Sequence, residues 1–225
     1  MQNLSKRLLE IAVLVPKGCR VADIGTDHGY LPIYLIKSGI ASGVLACDIA
    51  EKPLALAQKN IEASGLHNIS TRLSDGFSAL KPEELDCAVI AGIGGEVISG
   101  IIDRCVWLKD NRYTLVLQPT TSPEKLREYL SLNGFSVEKE TAICENGKIY
   151  SIMQVGYTGE KTLLSPHEFY IGVLTPETED AKAYIKKQLK RVQTLANDLK
   201  GIQGKETDHL YFLEIAKHIT EILGG

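Results

Sequence analysis

Short apolar runs alternate with amphipathic stretches along roughly the first 160 residues of the chain. The runs are rich in β-branched residues, as is typical of strands that are buried on both faces. Five runs are predicted to be strands: Arg20–Gly25, Gly43–Asp48, Asn68–Leu73, Leu85–Ala91 and Arg112–Gln118. Helical periodicity separates them, for example over Lys52–Ala63, whose Pro53 suits a first helical turn. The alternation predicts an α/β fold of parallel strands joined by crossover helices.

A different pattern closes this region. Two further strand candidates, Phe135–Ile143 and Ile149–Gly156, flank a turn that contains Asn146 and Gly147. Asn-Gly between two apolar runs is a strong signal for a β-hairpin turn. We therefore expect the sheet to end in an antiparallel hairpin, which the nucleotide-binding half of a dehydrogenase would not normally carry.

The residues after Gly159 show a third pattern. From Thr175 onward the chain is predicted to be helical, with apolar residues that alternate in steps of three and four, as in a coiled-coil seam. The segment from Gly201 to Gly204 interrupts this seam. A second stripe follows at Phe212, Ile215, Ile219 and Ile222. Two antiparallel helices are the simplest solution, so we predict two domains, residues 1–160 and a helical coiled-coil hairpin of residues 161–225.

Composition narrows the class of protein. The hydrophobic fraction of 44% and the charged fraction of 24% are ordinary for a globular protein. No apolar run reaches the roughly 18–20 residues that span a bilayer, and the N-terminal segment lacks the pattern of a signal peptide. The cysteines form no Cys-x-x-Cys pair and are interpreted as buried thiols: Cys19, Cys47, Cys87, Cys105 and Cys144. We expect a cytoplasmic monomer without membrane contact.

The clearest chemical signal follows the first predicted strand. Asp23, Gly25 and Gly29 form an Asp-x-Gly-x-x-x-Gly pattern, whereas the dinucleotide fingerprint is Gly-x-Gly-x-x-Gly. Glycine lets the backbone approach a ligand closely, and the next helix N-terminus favours a carboxylate or phosphate. The Asp23 carboxylate would repel a pyrophosphate but suits the ammonium group of a methionine moiety. We therefore favour S-adenosyl-L-methionine as the cofactor; alternatively, the glycines only form a tight turn.

Other strand ends supply further candidates. Asp48 ends the second strand, where an acid can accept hydrogen bonds from ribose hydroxyls. Asp75 and Gly76 follow the third strand, near an adenine edge, although Asp75 could instead cap a helix over Phe77–Leu80. The fourth strand ends in Ala91–Gly95, without the Asn/Asp-Pro-Pro-aromatic motif of enzymes that methylate exocyclic amino groups. Its glycines could form an open floor beside the sulfonium, or only allow close helix packing.

These motifs together resemble a known family. ADIGTDHGYLPIYL, ACDI, LSDGF and AGIGGE, followed by LQP and the basic helical hairpin, are similar to the bacterial tRNA (adenine-N1) methyltransferases that modify adenine 22 in the D-arm region. The similarity covers essentially the full chain. It implies a class I Rossmann-like methyltransferase sheet with a coiled-coil appendage that helps to hold tRNA. It also implies cofactor contacts at Asp23, Gly25, Thr26, Asp27, His28, Gly29, Tyr30, Leu31, Asp48, Ile49, Asp75, Gly76, Ala91, Gly92, Ile93 and Gly94.

The chemistry of adenine suggests which residues act on it. N1 carries an in-plane lone pair, so it can attack the sulfonium methyl group without prior deprotonation once the base is unpaired or flipped. A nearby carboxylate could then stabilise the cationic purine and accept a proton. Asp27 is the catalytic candidate, unless it only forms an Asx-type turn. Tyr30 could stack on the purine or only pack on its helix, His28 is interpreted as ordering the loop, and Gln118-Pro119 as contacting the base edge.

Basic residues are concentrated in the predicted coiled coil. The segment Lys182–Lys205 contains seven basic residues and one acid, Asp198, in a chain of net charge −3. Such a local surplus is typical of a surface that binds phosphates, although a solvated coiled-coil face is the alternative. Residues predicted to contact RNA, on one side of the helix away from the seam, are Lys182, Lys186, Lys187, Lys190 and Arg191.

Two other functions remain compatible with the sequence. A small-molecule methyltransferase would share every cofactor residue but should carry an apolar lid over the pocket. A noncatalytic, cofactor-sensing module could use the helical hairpin to bind a protein partner. No metal is expected, because no ligand spacing connects the histidines His28, His67, His167, His209 and His218.

Overall fold

A seven-stranded sheet forms the centre of the computed structural model, which describes residues 4–224. In chain order the strands are β1 Arg20–Ile24, β2 Gly43–Asp48, β3 Ile69–Leu73, β4 Cys87–Ile93, β5 Thr114–Pro119, β6 Phe135–Glu145 and β7 Lys148–Tyr157. Their order in space is β3-β2-β1-β4-β5-β7-β6. The first five strands run parallel, and β7 is antiparallel to both β5 and β6. The predicted α/β sheet with a terminal antiparallel hairpin is confirmed.

Helices cover both faces of this sheet. They are α1 Lys6–Leu14, α2 Tyr30–Lys37, α3 Glu51–Ser64, α4 Gly95–Asp103, α5 Pro123–Leu132, α6 Glu168–Ile171, α7 Glu179–Leu199 and α8 Glu206–Gly224. Helices α1, α2 and α3 pack on one face, where Val21 and Val44 point, and α4 and α5 pack on the other, where Ala22 and Leu45 point. Successive residues of a strand face opposite sides, so burial on both sides explains why the strands are apolar throughout.

The parallel strands bring the predicted cofactor loops to one edge of the sheet. Ile24, near the end of β1, pairs with Cys47 of β2 and Ile90 of β4. The loops that leave these strands therefore begin side by side. In open α/β sheets, ligands bind in the crevice outside the carboxyl ends of the strands.

Helix α1 docks on strands that lie far along the chain. Gln154 of β7 donates its Nε2 to the carbonyl oxygen of Leu14 at 2.7 Å. The backbone N–H of Arg7 donates to Glu145 Oε1 at 3.1 Å, at the tip of the β6–β7 hairpin. The side chain of Ser5 caps the helix by accepting from the N–H of Leu8. This docking carries the Arg7 side chain to the carboxyl end of β5.

Helices α7 and α8 form the predicted hairpin around a separate apolar cluster, to which Ala142 of β6 also belongs. Ile185, Val192, Ile215 and Ile219 are all fully buried in it. The break predicted between Gly201 and Gly204 is confirmed, since it falls between the end of α7 and the start of α8. The predicted start of helix at Thr175 is wrong.

The first of these two helices begins four residues later than predicted. Thr178 adopts an extended conformation, and its side chain accepts from the N–H of Ala181 at 3.1 Å. Threonine is a favoured N-cap residue, and Glu179 and Asp180 then place negative charge in the first turn. The cap fixes the start of α7.

A buried ion pair fastens the helical hairpin to the sheet. The guanidinium of Arg127, on α5, pairs with the carboxylate of Glu140, on β6, and the two side chains are 1% and 0% exposed. Arg127 Nη2 also donates to Ser151 Oγ and to the Tyr184 hydroxyl of α7, both at 3.2 Å. Gly172 has φ +62° and lies so close to this pair that a Cβ would overlap the Glu140 carboxylate. The hairpin and the sheet therefore share one buried polar network.

The cysteines are free thiols with different degrees of exposure. Cys47, Cys87 and Cys105 are buried as predicted, and Cys19 is partly buried. Cys144 is exposed, so the expectation of burial is wrong for it. It lies on the edge strand β6, where alternation turns the neighbouring Ile143 inward and Cys144 outward.

Among residues 4–224, none of the helices is both long and apolar enough to cross a membrane. The same residues include no group of three or more His, Cys, Asp or Glu side chains that could hold a metal ion.

Candidate active site

A pocket of about 560 Å³ opens at the carboxyl ends of β1, β2, β3 and β4. All but two of the predicted cofactor residues line it, the exceptions being Gly29 and Gly94. The structure thus brings together residues from four separate loops, as the strand pattern predicts. Residues outside the predicted cofactor set complete the lining: Arg7, Leu8, Ile24, Ser74, Val97, Ile101 and Arg104.

The glycines of the two glycine-bearing loops have different roles. Gly29 has φ +70°, and a Cβ on it would lie 3.3 Å from Ala57 Cβ, so it permits close packing of the loop on α3. A Cβ on Gly94 would lie 3.0 Å from Thr121 Oγ1, and one on Gly95 would overlap the Ser122 carbonyl oxygen. Close packing therefore explains these three glycines. Gly92, with φ +83°, lies on the pocket floor.

Asp23 places a carboxylate in an almost dry position. It is 5% exposed, and burial together with the charge of Asp48 raises its pKa to about 6, against the lowering effect of the nearby Thr26 hydroxyl. That hydroxyl lines the same pocket, is buried, and makes no well-formed hydrogen bond within residues 4–224. A buried carboxylate and an unpaired hydroxyl oxygen suit a cationic ligand group that donates hydrogen bonds.

Two more acids stand at the pocket wall. Asp48 is held there because its Oδ1 accepts from the N–H of Ala50 at 2.8 Å. Asp75 accepts from Arg104 Nη2 at 3.0 Å, which joins the loop after β3 to the end of α4. These contacts fix each carboxylate in position beside the pocket.

The alternative role considered for Asp75, as a helix cap, is wrong. Residues 76–79 form a turn, and no helix is present over residues 77–80. The side chain that closes this turn is Ser74, whose Oγ accepts from the N–H of Ala79 at 3.1 Å and donates to the carbonyl oxygen of Gly76 at 2.8 Å. Asp75 is therefore available to a ligand.

The loop after β1 presents a carboxylate and two rings at the pocket mouth. Asp27 has φ +48°, an uncommon conformation for a residue other than glycine. Its carboxylate is 69% exposed and lies 3.3 Å from His28 Nε2. The His28 ring stacks on Tyr30, with centroids 5.2 Å apart and an interplanar angle of 11°. The Asn60 side chain fixes the loop by donating to the carbonyl oxygen of His28 at 2.9 Å.

The turn at Asp27 is not closed by its side chain. The N–H of Gly29 donates instead to the carbonyl oxygen of Thr26 at 3.0 Å. The alternative of an Asx-type turn therefore has no support in the hydrogen bonds within residues 4–224. His28 lies between Asp27 and Tyr30, which agrees with its predicted role in ordering the loop.

Gln118 does not face the pocket, so its predicted contact with a base edge is wrong. Its side chain is fully buried, and Oε1 accepts from the N–H of Gly92 at 3.1 Å and from Arg7 Nη1 at 2.6 Å. Its Nε2 donates to the carbonyl oxygen of Pro119. The partly exposed polar group at this end of the pocket belongs to Arg7. The sequence offers Arg7, with Lys6, as the alternative place for tRNA to be held if the basic face of α7 is only solvated, because both are basic residues within the apolar pattern of α1.

The basic residues of α7 do not share one side of the helix, and that part of the prediction is wrong. Lys187 Nζ donates to the carbonyl oxygen of Ile149 at 3.2 Å, and Arg191 pairs with Glu124 of α5 at 2.7 Å. Both therefore face the sheet domain. Lys186 and Lys190 are exposed elsewhere on the helix, and Lys182 is partly buried. The rotation of α7 about its own axis is set by Tyr184, because the Tyr184 hydroxyl accepts from Arg127 and this side of the helix therefore faces the sheet.

A family profile described as a methyltransferase domain matches residues 4–153. With the strand order and the acidic pocket, this match defines a Rossmann-like methyltransferase. The tRNA (adenine(22)-N(1))-methyltransferase of Bacillus subtilis (strain 168) is 37% identical over 152 residues, which are 67% of this chain and 64% of that protein. The chain belongs to the bacterial tRNA (adenine-N1) methyltransferase family, and the resemblance of its motifs is confirmed. The aligned part spans just under two thirds of that relative's length.

Solved structures agree over almost the whole chain. The crystal structure of the B. subtilis m1A22 tRNA methyltransferase TrmK superposes with a TM-score of 0.82 at 28% identity, covering 99% of this chain and 100% of that one. Sp1610 of Streptococcus pneumoniae, solved in complex with S-adenosyl-L-methionine, gives a TM-score of 0.83 at 30% identity, covering 98% and 100%. The similarity therefore includes the helical hairpin as well as the sheet.

Proposed function

We propose that this protein transfers a methyl group from S-adenosyl-L-methionine to N1 of adenine 22 in tRNA. The observation that carries the proposal is the pocket at the carboxyl ends of the parallel strands, where buried Asp23 and partly exposed Asp48 line one continuous surface. A relative of 37% identity bears the name of this activity. The proposal joins that activity to a site whose charges suit the cofactor.

Each part of the cofactor has a partner in the pocket. S-adenosyl-L-methionine supplies an electrophilic methyl group on a positively charged sulfur. Asp23 and Thr26 would hold its amino end, because a carboxylate and a hydroxyl oxygen both accept from an ammonium group. Asp48 would accept from the ribose hydroxyls. The adenine end would lie beside Asp75 and Gly76.

The acceptor base would enter at the pocket mouth. N1 lies on the Watson–Crick edge, so adenine 22 must leave its pairing partner before it can reach the pocket. Its ring would stack on the surface formed by Tyr30 and His28. The carboxylate of Asp27 would stabilise the positive charge that N1 methylation leaves on the purine and accept a proton from N6. Asp27 and Tyr30 are the proposed catalytic residues, and holding the reactants close supplies much of the rate.

We propose different roles for the two parts of the chain. Residues 1–160 bind the cofactor and the target base, and residues 161–225 help to hold the RNA. A monomer is the proposed active form. The free cysteines suit a reducing compartment, and the cytoplasm is the proposed location.

A methylation assay tests this function directly. The protein is incubated with labelled S-adenosyl-L-methionine and an unmodified tRNA transcript, and a matched transcript with guanine at position 22 serves as control. Label should enter only the first transcript, and digestion followed by mass spectrometry should identify N1-methyladenosine. Equal labelling of both transcripts, or of small metabolites in place of tRNA, would contradict the proposal.

The pKa of Asp23 predicts how cofactor binding depends on pH. The ligand ammonium group pairs with the Asp23 anion, whose pKa in the ligand-free protein is about 6. The affinity should therefore be constant between about pH 6.5 and 7.5 and fall by about tenfold per pH unit below 6, as one proton must be released. Calorimetry across this range measures the change. Asp23→Asn should bind more weakly but with little pH dependence, and a wild-type affinity that is flat from pH 5 to 7 would contradict the assignment.

A further inference from the structure

A second, polar cleft lies between α7 and the sheet. It has a volume of about 320 Å³ and is lined by the loop that follows β5, by Tyr150 of β7, and by Lys187, Gln188 and Arg191 of α7. Gln188 is 3% exposed, and its Oε1 has no hydrogen-bond partner within residues 4–224. An unmet buried acceptor is unfavourable until a donor reaches it. The cleft therefore offers an acceptor to a ligand that can donate to it.

The cleft adjoins the cofactor pocket through two loops that are hydrogen-bonded to each other. The N–H of Thr120 donates to the carbonyl oxygen of Ile93 at 2.8 Å, and the N–H of Gly95 donates to that of Thr121 at 2.8 Å. Ile93 lines the pocket, whereas Thr120 and Thr121 line the cleft. The loop after β4 and the loop after β5 therefore separate the two cavities, and Ser122 of the second loop has the unusual φ of +50°.

Arg7 and Tyr150 connect the two cavities. Arg7 lines the pocket and Tyr150 lines the cleft, and the Arg7 guanidinium carbon is 5.9 Å from the centroid of the Tyr150 ring. Lys187 lies beyond Tyr150, where it donates to the carbonyl oxygen of Ile149. Arg7, Tyr150 and Lys187 therefore follow one another from the pocket into the cleft, and we call them the connecting track.

The charges of this track suit phosphate. The cofactor carries one anionic group, the carboxylate of its methionine end, which the loop after β1 and the next helix N-terminus suit. The base becomes cationic on methylation and brings no anion to the Arg7 guanidinium. Lys187 forms no salt bridge within residues 4–224, whereas Arg191 is already paired with Glu124. Arg7 is paired with Glu145 at the longer distance of 3.7 Å and donates to Gln118 Oε1 at 2.6 Å. Lys187 therefore carries an unneutralised charge and Arg7 a weakly paired one, and both can attract an anion that arrives with the substrate.

We propose that the tRNA strand next to the flipped adenine follows the connecting track, with phosphates at Arg7 and Lys187 and a base stacked on Tyr150. Phosphate contacts and aromatic stacking are the two usual means of holding a single strand. A 2′-hydroxyl or base amino group would donate to Gln188. The inference rests on the proposed function and adds which side of α7 holds the RNA: the side towards the sheet, and not the side of Lys186 and Lys190.

Two variants of equal charge change test the track. The double variant Arg7→Gln, Lys187→Ala removes two positive charges from it, and the control Lys186→Ala, Lys190→Ala removes two from elsewhere on α7. The track variant should raise the tRNA Kd by tenfold or more and flatten the slope of log affinity against log salt by about 1.4–1.8. The control should change the Kd by less than about threefold. The control and the single variant Lys187→Ala should keep the cofactor Kd and the thermal midpoint of wild type.

The outcomes separate this inference from the proposed function. If the control weakens tRNA binding as much as the track variant, or if neither does, the track is overturned although wild-type protein still methylates adenine 22. If wild-type protein methylates no tRNA, the function and the track both fail. Should Arg7→Gln disturb folding, the comparison of Lys187→Ala with Lys186→Ala decides. Tyr150→Phe should bind tRNA normally and Tyr150→Leu several-fold more weakly, as stacking requires.

Discussion

Asp27→Asn is expected to slow methyl transfer to tRNA by about 10- to 1000-fold while S-adenosyl-L-methionine binds as tightly as in wild type. The substitution removes only the charge, since asparagine has nearly the same shape and tolerates the left-handed conformation that residue 27 adopts. The loop is also held by Asn60 and by the Gly29 N–H, which do not involve the Asp27 side chain. Single-turnover methylation measures the rate, and calorimetry measures cofactor affinity.

A control and two contrary results make this test specific. Asp110→Asn removes another exposed carboxylate, remote from the pocket, and should leave the rate unchanged. An equal fall of rate and cofactor affinity would make Asp27 a cofactor ligand. An unchanged rate would exclude it from catalysis.

Arg127→Met is expected to lower the free energy of unfolding by about 3–5 kcal/mol. The substitution leaves the Glu140 carboxylate, which is 0% exposed, without its partner. It also removes a donor to the Tyr184 hydroxyl, so the helical hairpin loses its polar attachment to the sheet. Urea denaturation measures the stability, and hydrogen exchange should show faster opening in α7 than in β1.

A second variant separates the unpaired charge from lost packing. Arg127→Met combined with Glu140→Leu removes both charges and should recover most of the lost stability, because apolar groups can replace a buried pair. Lys125→Met breaks the exposed pair with Glu128 and should change stability by less than about 1 kcal/mol. If Arg127→Met alone stays within 1 kcal/mol of wild type, the network does not hold the hairpin.

Strands and the helical hairpin could be predicted because their signals are local. The run Gly43–Asp48 was predicted with its observed bounds, and the Asn146-Gly147 turn fixed the register of β6 and β7. The seam through Ile185 and Val192 predicted the partner of α8. Periodic burial is visible in the sequence of each element itself. These elements could therefore be predicted without knowing contacts between distant residues.

The parts that could not be predicted depend on contacts between distant residues. The sequence predicts that Gln118 contacts a base edge, but its Oε1 accepts from the Arg7 guanidinium, 111 residues away in the chain. Lys187 and Lys186 are neighbours in sequence, yet only Lys187 faces the sheet, because the Arg127 network sets the rotation of α7. Periodicity gives the apolar side of a helix but does not tell which polar side meets a second domain.

The docking of α1 also has a consequence for synthesis on the ribosome. This helix leaves the ribosome before the seven strands, and its anchors at Glu145 and Gln154 follow 138 and 140 residues after the groups they bind. Strands β1 and β2 can pair before the strands on which α1 packs, β6 and β7, have been synthesised. Contacts of such long sequence separation form late. We therefore expect that in nascent chains that end before β7, helix α1 is undocked and the part of the pocket lined by Arg7 is not formed. Proteolysis of stalled chains would detect this state as cleavage near Arg7.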